Sequence, residues 1–475
     1  MAFYNRRKSL DSVSARSTHS ALKPTLSWIH LMCLGIGGIV GTGIYTLIGV
    51  GAGLAGPAVI ISFVVAGLVC ACAALAYTEM STMMPMAGSA YTYSYVALGE
   101  LPAWFVGWTL ILEYTVVCSV VAVGWSGYAT GLIRSWDLGI PEALLAGPYA
   151  GGLINLPAIV ISLAVAGLLA LGSRESATVN IILVLVKLVA LATFIALAVP
   201  AFNADNFEPF APHGYGATEI DGAKYGMMGA AAVIFFAFYG FDAVSTAAEE
   251  AKNPGRDLKI GIIGSMLACT FIYMIVAAAA LGSTKADVLS ASGEPLAMVL
   301  RSLNHPTAAK AIGLAAVIAL PTVIMAFMYG QSRIFFVMAR DGLLPERLSI
   351  VNEKTGTPAL MTLVTGVIVA IIAGFLPLQR IAEVANAGTL VAFIAVAVTM
   401  LQMRRKAPNH PRPFRTPAAG VIAAGAILGC TYLFISLPLV TKFTFVVWNL
   451  IGLVVYFAYA RFQSVLARTA PTQRL

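Results

Sequence analysis

The chain has 475 residues, 59% hydrophobic and 11% charged, with a mean hydropathy of +0.87 and a net charge of +8. A soluble domain of this size carries about a quarter charged residues, so a soluble globular protein is excluded. Its basic residues lie in short polar segments between apolar runs, so membrane topology accounts for the charge and no nucleic-acid partner is needed.

In chain order, the apolar runs fall at 26-50, 58-77, 104-133, 157-172, 177-202, 225-247, 260-281, 308-338, 358-376, 381-403, 418-437 and 443-460. Each approaches the length needed to cross about 30 Å of hydrocarbon as a helix. They predict an all-α integral membrane protein with twelve spans. Most of the 29 Lys and Arg fall on the side of the N-terminus, including five in RRKAPNHPRPFR at 404-415. The positive-inside rule then places both termini in the cytoplasm. The expected localisation is multi-pass in the cell's inner (cytoplasmic) membrane.

The expected organisation is a polar tail at 1-25, disordered or lying on the membrane surface, and a ten-span core at 26-403. A basic loop at 404-417, two peripheral spans within 418-460 and a second tail at 461-475 follow. The first run follows basic residues like a secretory signal but is too long for one. Six cysteines (33, 70, 72, 118, 269, 430) lie within the runs, where thiols behave as small hydrophobes. The five histidines are scattered, so neither a metal site nor a cofactor is expected.

The first run contains LGIGGIVGTGIYTLIG, with five glycines between Gly35 and Gly43. Each interior glycine costs about 0.5–1 kcal/mol of helix stability, so this span is expected to break. The sixth run, AAVIFFAFYGFDAVSTAAEE, carries Gly240 and Asp242 where a continuous apolar helix would otherwise run. Runs one and six are five apart, so they enter the membrane from opposite sides. This spacing matches a five-plus-five inverted repeat, about 26-202 and 225-403, with broken first helices. Broken backbone at membrane depth survives only where protein, water or ligand satisfies it. Free amides at a half-helix start attract an anion and free carbonyls at a half-helix end attract a cation, and a zwitterionic amino acid supplies both. Ile39, Gly41, Thr42 and Gly43 on the first run and Phe235, Ala237, Phe238 and Tyr239 on the sixth are therefore the expected substrate contacts. The alternative, a Gly37/Gly41 helix-packing motif, leaves the sixth-run break unexplained.

GIGGIVGTGIY, MPMAGSAYTYSY at 84-95, GWTLILEYTV at 107-116, FFAFYGFDAVSTAAEEAKNPGRDL at 235-258 and GQSRIFFVMARDGLLP at 330-345 together resemble the amino acid, polyamine and organocation transporter superfamily. The likeness is strongest to bacterial members of its cationic amino acid transporter branch. It implies a five-plus-five core with two peripheral helices, and alternating access for amino acids. Asp242, Glu249, Glu250, Lys252, Arg256, Arg333 and Arg340 lie toward the cytoplasmic side, as inner-gate ion pairs or as solvated topology signals.

Lys187 is the one basic residue deep within a run, a placement that costs about 2.5–3.5 kcal/mol and turns the side chain to the protein interior. Desolvation lowers a lysine's pKa, so it can change charge as a cavity opens. Proton-coupled relatives, by the resemblance, place a lysine on the fifth helix. A permanently bonded structural lysine is the alternative. Glu113 is the one acid at similar depth, and it is expected to pair with Lys187, relay protons or brace the sixth helix.

An enzyme would need a nucleophile with a base or a metal cluster, and none is visible. A channel filter recurs by symmetry, which asymmetric broken helices do not fit. The expected function is proton-coupled amino acid uptake, with an exchanger or an uncoupled cationic amino acid facilitator as the competing reading. The expected partners are an amino acid substrate and the lipid bilayer, with the proton as coupling ion and a small membrane subunit left open. On the eighth run Pro321, Met325, Met328 and Ser332 share a helical face. By the resemblance that face borders the side-chain end of the pocket, and Met325 is expected to shorten it in favour of small or medium neutral amino acids.

Overall fold

A computed structural model describes residues 6–9, 26–86, 88–137, 139–171, 177–248, 251–349 and 359–469. Among these, nine helices are long and apolar enough to cross a membrane, and three shorter apolar helices, Leu156–Ala170, Ala359–Phe375 and Ala419–Ile435, accompany them. Each sequence-predicted run overlaps one of these helices; the largest displacement is at Leu47–Met83, which begins well before the run predicted at 58-77.

Ser27 and His30 cap the first helix, Trp28–Ile39, through a 2.7 Å contact between Ser27 Oγ and His30 Nδ1, which accounts for that histidine. The helix stops at Val40. A single turn, Thr42–Tyr45, and a further helix, Leu47–Ala55, complete the stretch. The third helix, Glu100–Ser135, has 36 residues and spans about 54 Å at 1.5 Å per residue, well beyond the hydrocarbon thickness. It packs against Leu378–Lys406 and Pro321–Arg340, forming the spine of the bundle. Pro254–Ser283 packs across Trp28–Ile39 and Val59–Met83. The eighth run divides at Leu320 into Pro306–Ala319 and Pro321–Arg340, with Pro321 in the first helical position, where its missing N–H costs nothing.

Leu163, Leu185, Leu267, Phe271, Val421 and Leu428 face outward, forming part of the apolar belt a bilayer covers. Trp104 and Trp108 on the third helix lock the last one, Leu439–Val455. Trp108 Nε1 donates to the Trp448 carbonyl at 2.9 Å, Trp448 Nε1 to the Trp108 carbonyl at 3.0 Å, and Trp104 Nε1 to the Gly452 carbonyl at 2.8 Å.

The expectation of a purely helical chain needs one correction. Thr218–Ile220 and Ala223–Tyr225 form an antiparallel hairpin before the sixth stretch. Its turn, Asp221–Gly222, has positive φ at both residues (49° and 76°), the geometry that favours an Asp-Gly pair. All six cysteines are free.

Candidate functional site

The two broken stretches cross with backbone touching backbone. After Ile39 the first helix stops at Val40 (ψ 90°) and Gly41 (φ −145°, ψ −149°). In the sixth stretch, Met227–Ile234 tightens into a 3-10 turn at Phe235–Phe238, Tyr239 is extended, and Gly240 has φ +117°, a conformation that favours glycine. A Cβ on Gly240 would stand 2.7 Å from Ile39 N, and one on Gly43 2.5 Å from Ala237 Cβ. No side chain could intervene at either crossing. Gly41 differs: the nearest atom to an added Cβ there is Val323 Cγ2 at 3.5 Å, an ordinary contact. Its side faces space.

That space is a cavity of about 10 Å³, room for about one water molecule. Ile39, Gly41, Thr42, Gly43 and Tyr239 line it. Its other walls are Val117 and Val121 of the third helix, Phe236 of the sixth stretch, and Val323 and Phe327 of the eighth. No side chain caps the turn that starts after Gly41, and the buried Thr42 Oγ1 has no hydrogen-bond partner among the described residues. Those groups are what the cavity offers a polar ligand end; the rest of its wall is mostly apolar.

Three expected contacts on the sixth stretch turn their side chains away from the cavity. Phe235 packs on Phe393, Phe238 on Phe63 and Tyr273, and Ala237 against Gly43. The 3-10 turn rotates Phe236 inward in their place. The carbonyls of Ala232 and Val233, just before this turn, are occupied by Asn386 Nδ2 at 2.5 and 3.1 Å, and Tyr239 OH meets Asn386 Oδ1. Met325 is also outside the lining. Val323 and Phe327 share a face at i and i+4, and a residue two positions from either points about 200° around the helix. The alternation of Val, Ile and Phe on this helix carries no mark of which face turns inward, and this hid Val323 and Phe327. The same holds for Val117 and Val121.

Lys187 is buried, and its Nζ donates to the Gly37 carbonyl at 2.9 Å and to Thr322 Oγ1 at 3.3 Å. One ammonium thus ties the helix Ala177–Ala198 to the first-stretch break and to the start of Pro321–Arg340. Tyrosines reinforce the junction: Tyr45 OH donates to the Lys187 carbonyl, Tyr128 OH to the Tyr45 carbonyl, and Tyr273 OH to the Ile39 carbonyl. Glu113 has different surroundings. It faces Gly388 and Thr389 of the tenth stretch, with Asp242 the neighbouring carboxylate, and its Oε2 has no hydrogen-bond partner among the described residues.

On the face that carries residues 6–9, Asp242 caps the break, accepting from Gly240 N at 3.0 Å and Tyr114 OH at 3.4 Å. Ion pairs close this face, but from other residues than expected: Arg6 pairs with Glu100 at 3.0 Å and Lys8 with Asp341 at 2.5 Å. Thus part of the polar tail packs on the bundle. Arg333 lies over Tyr329 and Arg340 over Phe336, Lys252 bonds Leu26 through its backbone, and Arg256 is exposed. Glu249 and Glu250 lie outside the described residues. No group of three or more metal-ligating side chains occurs among the described residues.

Two helices broken at the same depth, crossing beside a small buried cavity within a bundle of apolar helices, define a polytopic membrane transporter. The chain belongs to the amino acid permease family, whose model matches residues 26–459. It is 44% identical to the branched-chain amino acid permease BcaP of Bacillus subtilis (strain 168), over 97% of this chain and 98% of that one. It is 40% identical to the methylthioribose transporter of the same organism, over the same shares of the two chains. With the mitochondrial cationic amino acid transporter 3 of Arabidopsis thaliana it shares 37% identity over 86% of this chain and 67% of that one. These relatives are named permeases and transporters, so this protein is a transporter and not an enzyme.

Proposed function

We propose that this protein carries neutral, apolar L-amino acids into the cell by alternating access, coupled to protons through Lys187. In this reading the nine long and three short apolar helices are twelve spans, ten of them an inverted five-plus-five core. Both termini are cytoplasmic in the cell's inner membrane. The observation that carries the proposal is the crossing of the two breaks at Gly38–Gly240 and Gly43–Ala237, beside a cavity where backbone and Thr42 Oγ1 supply the polar groups. An amino acid's carboxylate fits the uncapped turn after Gly41. Its side chain meets Val117, Val121, Val323 and Phe327. A guanidinium there would lose hydration without a carboxylate to replace it. The branched-chain permease among the relatives agrees with that apolar wall.

At about 10 Å³ the cavity is closed around nothing larger than water, so loading requires Phe236 and Tyr239 to move. Lys187 is placed to report that movement. Protonated, it holds the Gly37 carbonyl and the first-stretch break. Neutral, it keeps two N–H donors but loses the charge assistance that strengthens that tie, so proton binding and the conformation of the break are linked.

The test is uptake of labelled amino acids into proteoliposomes, with pH and sodium gradients imposed separately. Accumulation of isoleucine or alanine driven by a proton gradient is expected. Equal accumulation without any gradient across a substrate-loaded membrane would assign an exchanger instead, and uptake of methylthioribose in place of any amino acid would overturn the substrate class.

A further inference from the structure

The face opposite residues 6–9 holds a second cavity of about 680 Å³. It shares a wall with the central one. Thr42 lines the central cavity, and Thr46, four residues further along the same stretch, lines the second. Four helical residues rise about 6 Å, so the two threonines, and with them the neighbouring walls of the two cavities, lie about one turn apart.

The second cavity is built for polar contact. Thr46 is 4% exposed, and its Oγ1 is buried without a hydrogen-bond partner among the described residues. Beside it, Asn155 Nδ2 donates to Ser126 Oγ at 2.7 Å. Glu294 and Arg301 form an ion pair in the wall, and the Glu294 carboxylate seats against Gly131, where a Cβ would overlap it. Gly127 permits the same close approach, since a Cβ there would lie 3.0 Å from Gly293 C. Val288 and Met298 add an apolar wall.

We propose that this outer cavity is a holding site for a zwitterionic amino acid with an apolar side chain, which inserts between Glu294 and Arg301. Glu294 takes the ammonium, Arg301 the carboxylate, and the Thr46 hydroxyl completes the contacts at the floor. A zwitterion exchanges one ion pair for two charge-assisted contacts and leaves no charge unpaired. A lone cation or anion strands one partner, which is costly in a partly buried wall. The site therefore selects for the complete zwitterion before the central cavity opens. The inference rests on the amino acid reading of the central site.

The experiment uses the full chain in nanodiscs with tritiated L-isoleucine at equilibrium. Wild type is expected to bind in two components. Glu294→Gln or Arg301→Gln should weaken only the weaker one, by about tenfold to a hundredfold, as for loss of a hydrogen bond to a charged group. Gly41→Val, which fills the central cavity, should remove only the tighter one. A single component that Gly41→Val abolishes and Glu294→Gln leaves intact would overturn the holding site while sparing the carrier reading. Absence of saturable binding by isoleucine or any other proteinogenic amino acid would overturn both. Independently of the ion-pair variants, a cysteine introduced at the exposed Ala291 in the Gly41→Val background should be protected from an impermeant maleimide by isoleucine. Isoleucinamide and 3-methylvalerate should not protect it. Equal protection by either, or none by isoleucine, contradicts the proposal.

Discussion

Adding one methyl group at Gly43 separates the two roles that glycine plays in the first stretch. A Cβ at Gly43 overlaps Ala237 Cα and stands 2.5 Å from Ala237 Cβ and 3.2 Å from Ala237 N, whereas ordinary contacts fall at 3.4–4 Å. Relief requires the two broken stretches to part by about 1 Å, because the obstacle is backbone and not a flexible tip. Overpacking of this kind costs about 1–3 kcal/mol. At Gly41 the same methyl meets only Val323, at 3.5 Å, and costs little stability while taking up cavity space. Gly43→Ala is therefore expected to lower the thermal midpoint of the purified protein and abolish isoleucine uptake in proteoliposomes. Gly41→Ala should keep the midpoint and weaken apparent affinity. Ala237→Gly should not restore Gly43→Ala, since Ala237 Cα remains in the way. A Gly43→Ala protein with wild-type midpoint and uptake would refute the argument that the two breaks must touch.

Lys187→Ala should retain isoleucine binding but lose accumulation driven by an imposed pH gradient, measured in the same vesicles; persistent proton-driven accumulation would remove the lysine from the coupling step. Val323→Ala or Phe327→Ala should shift competition profiles toward larger side chains, whereas Met325→Ser, outside the lining, should leave them unchanged; a shift with Met325→Ser alone would return that residue to the pocket. Burial holds the Glu294 carboxyl above its ordinary value, against the opposing pull of Arg301 and Arg134. From the unfolded value near 4.5 up through that raised value the folded state binds more protons, so this group's contribution makes stability fall as pH rises. Wild type should thus gain thermal midpoint relative to Glu294→Gln on going from pH 7 to pH 5, and a loss over that interval would refute the sign.

Much of this architecture was readable because the signals are local and chemically loud. Glycines in a 16-residue apolar segment and Gly240 beside Asp242 announce breaks, and a lysine deep in hydrocarbon announces an interior partner. Ile39, Gly41, Thr42, Gly43 and Tyr239 followed from those signals, and all five line the cavity. What stayed hidden depends on rotation about a helix axis. Phe235, Phe236 and Phe238 are chemically alike, and a 3-10 turn decides which one faces inward. Val323 and Met325 differ by about 200° of azimuth, set by how Pro321–Arg340 packs on Glu100–Ser135. The hairpin turns on the dipeptide Asp221–Gly222 between Ile220 and Ala223, a signal present in the sequence but too short to stand out between two long apolar runs.

The reciprocal indole bonds between Trp108 and Trp448 join residues 340 positions apart. During synthesis the third helix emerges and enters the membrane long before its partner exists. Until residue 448 and Gly452 arrive, Trp104 and Trp108 must place their N–H groups elsewhere, at the lipid interface or on a transient protein neighbour. The spine against which the carrier's moving parts work is thus finished only when a segment made 340 residues later arrives. A chain that stops short of residue 448 has all the central cavity's lining residues but lacks the clasp on its longest helix.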